Sequence, residues 1–108
     1  MLGDSVIGLS GLPDRHLGWA QFRALGAAAL DLCAVADGTL DGYVDCSVDA
    51  HGSWDYLGGL LVCREAGASV ADAHGRELVS LDHGARRTPV AGATPDLLAA
   101  LVAARGGG

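Results

Sequence analysis

The chain has 108 residues, which leaves room for one domain or part of one. Half of its residues are hydrophobic, few are aromatic and 17 are glycine, a composition typical of a soluble α/β protein. The formal net charge is −6, and no basic cluster is larger than Arg86-Arg87. The chain therefore lacks the positive surface with which proteins bind nucleic acid or anionic membranes, and neither is expected as a partner.

The cysteines and the hydrophobic runs indicate the compartment. Cys33, Cys46 and Cys63 are an odd number of cysteines at wide spacing, each inside an apolar run. This pattern favours reduced, buried thiols over a disulfide framework or a zinc site. No apolar run reaches the roughly 18 residues of a membrane-spanning helix, and the N-terminus lacks the basic start of a signal peptide. We therefore expect a cytoplasmic protein.

The first half of the chain predicts a strand, a loop and an apolar helix. A β-like run over residues 5–9 is broken by glycine and proline, and a loop through Trp19 and Phe22 is expected to follow. Strong helix formers extend from residue 24 or 26 to residue 36, and Gly38 stands where a left-handed C-terminal cap belongs. Because this helix is apolar on nearly every face, we expect other elements to cover it on several sides.

The second half alternates strands and helices. The predicted elements are a strand over residues 40–46, a polar loop over 47–53, a helix over 54–66 stopped by Gly67, strands over 69–73 and 88–91 separated by a turn at 74–76, and a helix over 95–104 with Thr94 as its N-cap. The three final glycines are expected to be frayed. Interleaved strands and helices favour a layered α/β arrangement. The two apolar helices leave more apolar surface than these elements can cover, which predicts a missing partner.

A carboxylate beside a large aromatic residue opens the second predicted helix, in the run Trp54-Asp55-Tyr56-Leu57-Gly58-Gly59. Asp55 is a candidate ligand for Mg²⁺, which prefers oxygen donors and is usually held by a few carboxylates together with substrate phosphate. The alternative is a helix-terminal carboxylate that the helix dipole stabilises. Trp54 and Tyr56 are interpreted most simply as core or interface aromatics.

Small residues begin the first predicted helix. Gly26, Ala27 and Ala28, preceded by Arg23, place free backbone N–H groups at a helix start without side-chain obstruction, an arrangement suited to phosphate. The alternative is that these small residues only permit close helix packing.

Asp45 ends a predicted strand ten residues before Asp55. It either converges with Asp55 as an acceptor for substrate hydroxyls or is a solvated strand end. No Ser-His-Asp or Cys-His grouping is evident. All four histidines lie in polar or glycine-containing stretches and are expected at the surface: His16, His51, His74 and His83.

These stretches resemble the C-terminal part of the inositol monophosphatase family, whose members are Mg²⁺-dependent, lithium-sensitive sugar phosphatases. The similarity covers roughly residues 20–104. Its most specific element is the run over residues 54–59, which matches the family's Trp-Asp signature; Arg64-Glu65-Ala66-Gly67, the turn at 72–75 and the run over 23–31 match further family blocks. The implied fold is α/β, the C-terminal α/β subdomain of a layered sandwich, with about three helices and four or five strands over residues 1–108.

The resemblance also implies roles for individual residues. It makes Asp55 a metal ligand that meets the substrate, and it makes Gly26, Ala27 and Ala28 substrate contacts at the helix start. Ala27 replaces a frequent hydroxyl residue, so only the backbone contact survives there. Asp45 takes the place of an acidic residue that contacts the polyol.

The family's Glu-Glu block and its Asp-Pro-Ile/Leu-Asp-Gly-Thr block, which supply most metal ligands and the phosphate loop, do not occur in these residues. The resemblance therefore implies that the N-terminal metal and phosphate half is absent. This chain would supply one ligand and the sugar-facing wall, and no further catalytic residue is assigned.

The implied function is that of a portion of a phosphomonoesterase acting on inositol monophosphate or a related phosphorylated polyol, with Mg²⁺ as cofactor. The isolated chain is expected to be inactive and to need the missing half, or a homo-oligomer, as partner. The segment over residues 45–55 is longer than in the animal enzymes, so histidinol phosphate, sugar bisphosphates and adenosine bisphosphates stay open as substrates. The alternative class is a truncated, non-catalytic interaction or dimerisation module.

Overall fold

A computed structural model describes residues 1–106. Its centre is a five-stranded sheet, in the order β2-β1-β3-β5-β4. The elements are a 3₁₀ turn (Leu2–Asp4), β1 (Val6–Ser10), β2 (Gln21–Arg23), α1 (Ala28–Asp37), β3 (Gly42–Asp45), α2 (Ser53–Ala66), β4 (Ser69–Asp72), β5 (Pro89–Gly92) and α3 (Pro95–Arg105). The expected frayed tail at Gly107 and Gly108 lies outside the described residues.

The sheet is mixed. Strands β2, β1 and β3 run parallel, whereas β5 pairs antiparallel with both β3 and β4. Side chains alternate along β3, so that Tyr43 packs with Leu32 of α1 and Leu60 of α2, while Val44 packs on the opposite face with Leu101 of α3. Helices α1 and α2 therefore cover one face and α3 the other, which confirms the layered α/β fold predicted from the sequence.

Three helix ends lie where the capping residues predict them, and a fourth does not. Gly38 (φ 86°) and Gly67 (φ 84°) adopt the left-handed conformation and end α1 and α2. Thr94 caps α3 by accepting a hydrogen bond from Leu97 N at 3.1 Å. The predicted start of α1 at residue 24 or 26 is wrong, because Gly26 has φ 89° and Ala27 is extended, so the helix begins at Ala28.

The predicted loop through Phe22 is instead a short edge strand. Residues Gln21–Arg23 pair with Val6, Ile7 and Gly8 of β1. All three residues of β2 are exposed, so neither an alternating pattern nor an apolar run marks them as a strand in the sequence. Their conformation is fixed by the backbone hydrogen bonds of β1.

Helices α1 and α2 approach closely at Gly59. A Cβ atom at this position would lie 2.7 Å from Leu32 Cβ, so only glycine allows the observed packing. The sheet and α2 both cover α1, as expected, but part of the helix stays open, and its Leu30 is 58% exposed. Leu61 of α2 is 62% exposed, and this uncovered apolar surface agrees with the prediction of a surplus.

The three cysteines are free thiols in different surroundings. Cys63 is buried and its Sγ donates to Leu32 O at 3.0 Å, and Cys46 is half-buried. Cys33 is exposed, so the prediction that it is buried is wrong. Within residues 1–106, no helix combines the length and apolar character required to cross a membrane.

Candidate functional site

The candidate site lies at the carboxyl ends of β1 and β3. These strands run parallel, and the last residues of each, Ser10 and Asp45, are register partners. Because α1 follows β2 and α2 follows β3, both helices begin near the same edge of the sheet. The carboxyl edge of parallel strands, flanked by helix N-termini, is where α/β proteins bind ligands.

Three carboxylates surround one histidine at this edge. Asp31 lies in the first turn of α1, Asp45 ends β3 and Asp55 lies in the first turn of α2. The ring of His51 interacts electrostatically with all three. His51 and Asp31, which the sequence did not assign to a site, lie at the same edge as Asp45 and Asp55, and the convergence of those two aspartates on a substrate stays a prediction.

Asp55 closes the N-terminus of α2. Its Oδ2 accepts from Gly52 N at 3.1 Å, which satisfies a backbone donor at the helix start. Asp55 is therefore a helix-terminal carboxylate, which was the alternative interpretation. Its side chain is half-buried, and its Oδ1 accepts no hydrogen bond from the described residues. The same carboxylate can therefore cap the helix and offer one oxygen to a cation, and its role as a metal ligand remains a prediction.

Asp45 is fully buried, so the alternative of a solvated strand end is wrong. Its Oδ1 accepts from Ser47 N at 2.9 Å and from the Ser47 hydroxyl, and its Oδ2 lies 2.6 Å from His51 Nδ1. Burial acts to raise the pKa of Asp45, but the hydrogen bonds from His51 and Ser47 outweigh it and lower the pKa below its usual value. Asp45 is thus an internal anion with both oxygens engaged.

His51 contradicts the prediction of surface histidines, because only 15% of its side chain is exposed. The hydrogen bond to Asp45 raises its pKa, burial opposes the shift, and the charges of Asp45, Asp55 and Asp31 add to it. Ser47 and His51 both bind Asp45 and not each other. Asp45, Ser47 and His51 therefore do not form the nucleophile-base arrangement of a hydrolytic triad.

Arginines hold the loop over residues 46–52 that carries His51. Arg105 at the end of α3 donates from Nε to Asp45 O at 2.6 Å and from an Nη to Ser47 O at 2.8 Å. Arg76 forms an ion pair with Asp49 at 2.9 Å. The backbone N of Arg87 donates to His51 O at 2.8 Å. These contacts fix both ends of the loop and its middle.

Asp31 is a buried carboxylate without a hydrogen-bond donor among the described residues. It lies against Gly8 of β1, where any Cβ atom would collide with its Oδ1. Burial raises its pKa to about 6, and the nearby His51 ring opposes this shift only in part. The available signal in the sequence was a single acidic residue in the first turn of an apolar helix.

Tyr43 adds a polar group beneath this site. Its hydroxyl donates to Ser10 Oγ at 2.7 Å. Burial raises its pKa above the ordinary value, so the phenol is neutral and serves to order the end of β1. This bond could not be predicted from local sequence, because it joins residues of two strands 33 positions apart.

The small residues at the start of α1 are placed as predicted for a helix N-terminus. Ala27 is the N-cap and lacks a side-chain cap, and Ala28 is the first helical residue. Gly26 precedes them with open space where its side chain would be. The N–H groups of the first turn are therefore not capped by a side chain, although Asp31 N bonds Ala27 O within the helix.

The two aromatics beside Asp55 have different surroundings. Tyr56 belongs to the core and donates from its hydroxyl to Leu78 O at 2.5 Å. Trp54 is 67% exposed, so the core interpretation is wrong for it, and Arg86 stacks 4.9 Å above its ring.

The carboxylates do not by themselves form a metal site. Within residues 1–106, no group of three histidine, cysteine or acidic side chains has the geometry to hold an ion. Among the predicted site residues, Asp55 is the one whose carboxylate has an oxygen to offer a divalent cation, and a single carboxylate does not complete a Mg²⁺ site.

The fold and this polar edge define an α/β protein whose polar and acidic side chains gather at the carboxyl ends of parallel strands, near two helix N-termini. The model described as the inositol monophosphatase family matches residues 7–106. The chain belongs to the inositol monophosphatase family, which is a family of phosphatases.

Relatives match this chain over part of their length. The Nus factor SuhB of Pasteurella multocida is 52% identical over 56 residues, which are 52% of this chain and 20% of that protein. The inositol-1-monophosphatase of Mesorhizobium japonicum is 47% identical over 62 residues, 57% of this chain and 22% of that one. The solved structure of a Pyrococcus horikoshii protein with similarities to inositol-1 monophosphatase has a TM-score of 0.80 at 25% identity, covering 93% of this chain and 42% of that chain. The chain thus matches less than half the length of these relatives.

Proposed function

We propose that this chain is the C-terminal portion of a Mg²⁺-dependent phosphomonoesterase for inositol monophosphate or a related polyol phosphate. The observation that carries the proposal is the convergence of Asp31, Asp45 and Asp55 around His51 at the N-termini of α1 and α2. A site with acidic and hydroxyl-binding groups beside unobstructed helix N–H donors suits a ligand that has both hydroxyls and a phosphate.

Each proposed role follows from a position in the site. Asp55 offers its free Oδ1 to the cation, and the backbone at Gly26, Ala27 and Ala28 faces the substrate. In the reaction, water adds to phosphorus and the bond from phosphorus to the alcohol oxygen breaks, giving the alcohol and inorganic phosphate. Bound Mg²⁺ supplies charge stabilisation and an activated water in such hydrolyses.

Binding of Mn²⁺, a paramagnetic substitute for Mg²⁺, tests the metal role in the chain as it stands. Amide signals around residue 55 are expected to broaden at low Mn²⁺ in the wild-type chain, and the broadening is expected to vanish in Asp55→Asn. Asp96→Asn is the matched control, because Asp96 is also an acidic residue in the first turn of a helix but is exposed and lies away from the edge. Equal broadening around Asp96, or none around Asp55, contradicts the proposal.

Phosphate release from inositol 1-phosphate is the second measurement. With one carboxylate ligand, the isolated chain is expected to show no Mg²⁺-dependent release. Release that disappears in Asp55→Asn would instead mean that copies of the chain complete the site together. Histidinol phosphate and a nucleoside bisphosphate, assayed in parallel, distinguish the substrate classes.

The second candidate function is an interaction module, and the exposed apolar side chains of α1 and α2 favour it. Leu30 and Leu61 are more than half exposed although they lie in the middle of helices. Such surface generally marks a contact with another chain.

A further inference from the structure

We propose that Nε2 of His51, and not the carboxylate of Asp45, makes the hydrogen bond to a hydroxyl group of the bound polyol phosphate, and that Asp45 positions the ring. This inference rests on the proposed function and names the residue that hydrogen-bonds the polyol.

Asp45 is not available for the contact. Its side chain has no exposed surface, and its oxygens already receive donors from Ser47 and His51. A substrate hydroxyl could reach it only after the loop over residues 46–52 opened and at least one charge-assisted hydrogen bond broke.

His51 has the free group that Asp45 lacks. Nδ1 is held 2.6 Å from the Asp45 carboxylate, which accepts and cannot donate, so Nδ1 carries the proton. Nε2 is then the ring nitrogen left to meet a ligand: it accepts from a hydroxyl group when the ring is neutral and donates to the hydroxyl oxygen when the ring is protonated. Among residues 1–106 no residue hydrogen-bonds Nε2, and the His51 side chain is 15% exposed.

Hydrogen bonds to its backbone also hold the loop that carries the His51 ring. The backbone carbonyl of His51 accepts from Arg87 N, and Arg105 holds the carbonyls of Asp45 and Ser47 on the other side of the loop. The charged groups that face the ring are Asp31 of α1, Asp45 of β3 and Asp55 of α2. The ring is therefore held near the first turns of α1 and α2, at the same edge as the carboxylate proposed to bind the cation.

Ring-nitrogen NMR of the ¹⁵N-labelled 108-residue chain tests this assignment. The wild-type chain is titrated with myo-inositol 1-phosphate in the presence of Mg²⁺, and His51→Gln identifies the His51 signals. We expect a ring protonated at Nδ1 and a saturable shift of the Nε2 signal. In His51→Gln the apparent Kd, followed from the amides of residues 26–28, is expected to rise about tenfold, the loss of one hydrogen bond. His16→Gln is the control and should leave the Kd unchanged, because His16 is exposed and packs on Trp19, on the face of the sheet that α3 covers.

Asp45→Asn separates positioning from direct contact. If Asp45 positions the ring, this variant changes the His51 ring signals before any ligand is added and weakens the Nε2 response. If Asp45 itself met the ligand, Asp45→Asn would remove ligand-induced shifts while His51→Gln kept them, and the inference would be wrong. Should either variant unfold, the Nε2 response of the wild-type ring decides alone.

The remaining outcomes separate the inference from the proposed function. Saturable shifts of the amides at residues 26–28 with an unchanged His51 ring overturn the inference and leave the proposed function standing. No saturable shift at any of these positions overturns both for this chain.

Discussion

Asp31 is the least satisfied group in the described part of the chain. It is buried, and it has no donor to offset the lost hydration of its charge. A buried carboxylate in this state adjusts by holding its proton, which is why its pKa rises to about 6. The folded state thus binds a proton at Asp31 more tightly than the unfolded chain does.

The sign of the resulting pH dependence follows by linkage. Between about pH 4 and pH 6 the folded state holds the Asp31 proton while the unfolded state releases it, so this group makes the free energy of unfolding fall as pH rises. The loss approaches about 3 kcal/mol above pH 6, from a shift of roughly two pKa units. Asp31→Asn should flatten this fall and stabilise the chain at pH 7 by about 1 kcal/mol, since a buried amide without partners still has a cost.

Urea unfolding of both proteins from pH 4 to 7.5 checks this prediction. Asp96→Asn is the control, because Asp96 is an exposed carboxylate in the first turn of α3 and its change leaves Asp31 and its surroundings in place. An Asp31→Asn chain with the wild-type slope would show that the carboxylate finds a partner in solution.

The contact between α1 and α2 depends on the absence of one methyl group. Gly59→Ala would place a Cβ atom 2.7 Å from Leu32 Cβ and 2.9 Å from its Cδ1. We expect a loss of about 1–2 kcal/mol, because overpacking costs about 1–3 kcal/mol and the gain in helix propensity offsets part of it.

The neighbouring glycine provides the matched control. A Cβ atom at Gly58 would meet nothing within 4 Å, so Gly58→Ala should stabilise the same helix by about 0.5–1 kcal/mol. The urea midpoints of the two variants should therefore move in opposite directions. A common direction would mean that α1 and α2 do not pack in this way.

The predictability of the elements depends on where their determinants lie. Helix α3 could be predicted from Thr94 and Pro95, and the ends of α1 and α2 from Gly38 and Gly67, because caps act locally. Strand β2 could not be predicted, because its conformation is imposed by hydrogen bonds from β1 and not by its own exposed side chains. The fold class was accessible from the interleaving of elements.

The candidate site, like the fold, could be predicted only in part. The family resemblance drew attention to Asp45 and Asp55, and the structure brings both to one edge of the sheet. The burial of Asp45 and its bond to His51 could not be predicted, because they depend on the path of a polar loop that distant arginines hold in place. Polar composition alone makes such a loop indistinguishable from a solvated one.

The whole molecule leaves apolar helix surface uncovered, and a second copy of the chain is the simplest occupant. We expect the sedimentation coefficient to rise with concentration, and Leu61→Gln to weaken this association roughly tenfold by removing about 1.5 kcal/mol of apolar burial. Leu12→Gln is the control, since Leu12 is 88% exposed in the loop after β1, beside Arg105 of α3 and on the other side of the sheet from α1 and α2. A single monomeric species at every concentration would exclude self-association through this surface.

Arg105 joins the last helix to a loop that is synthesised much earlier. This side chain holds carbonyls of residues 58 and 60 positions earlier in the chain, so the loop that carries His51 is completed by a much later helix. During synthesis the sheet edge and the first two helices emerge first, while α3 is still inside the ribosome. His51 thus acquires its final surroundings only when α3 has been released and has docked, so an interrupted translation product would contain all three carboxylates without an ordered ring between them.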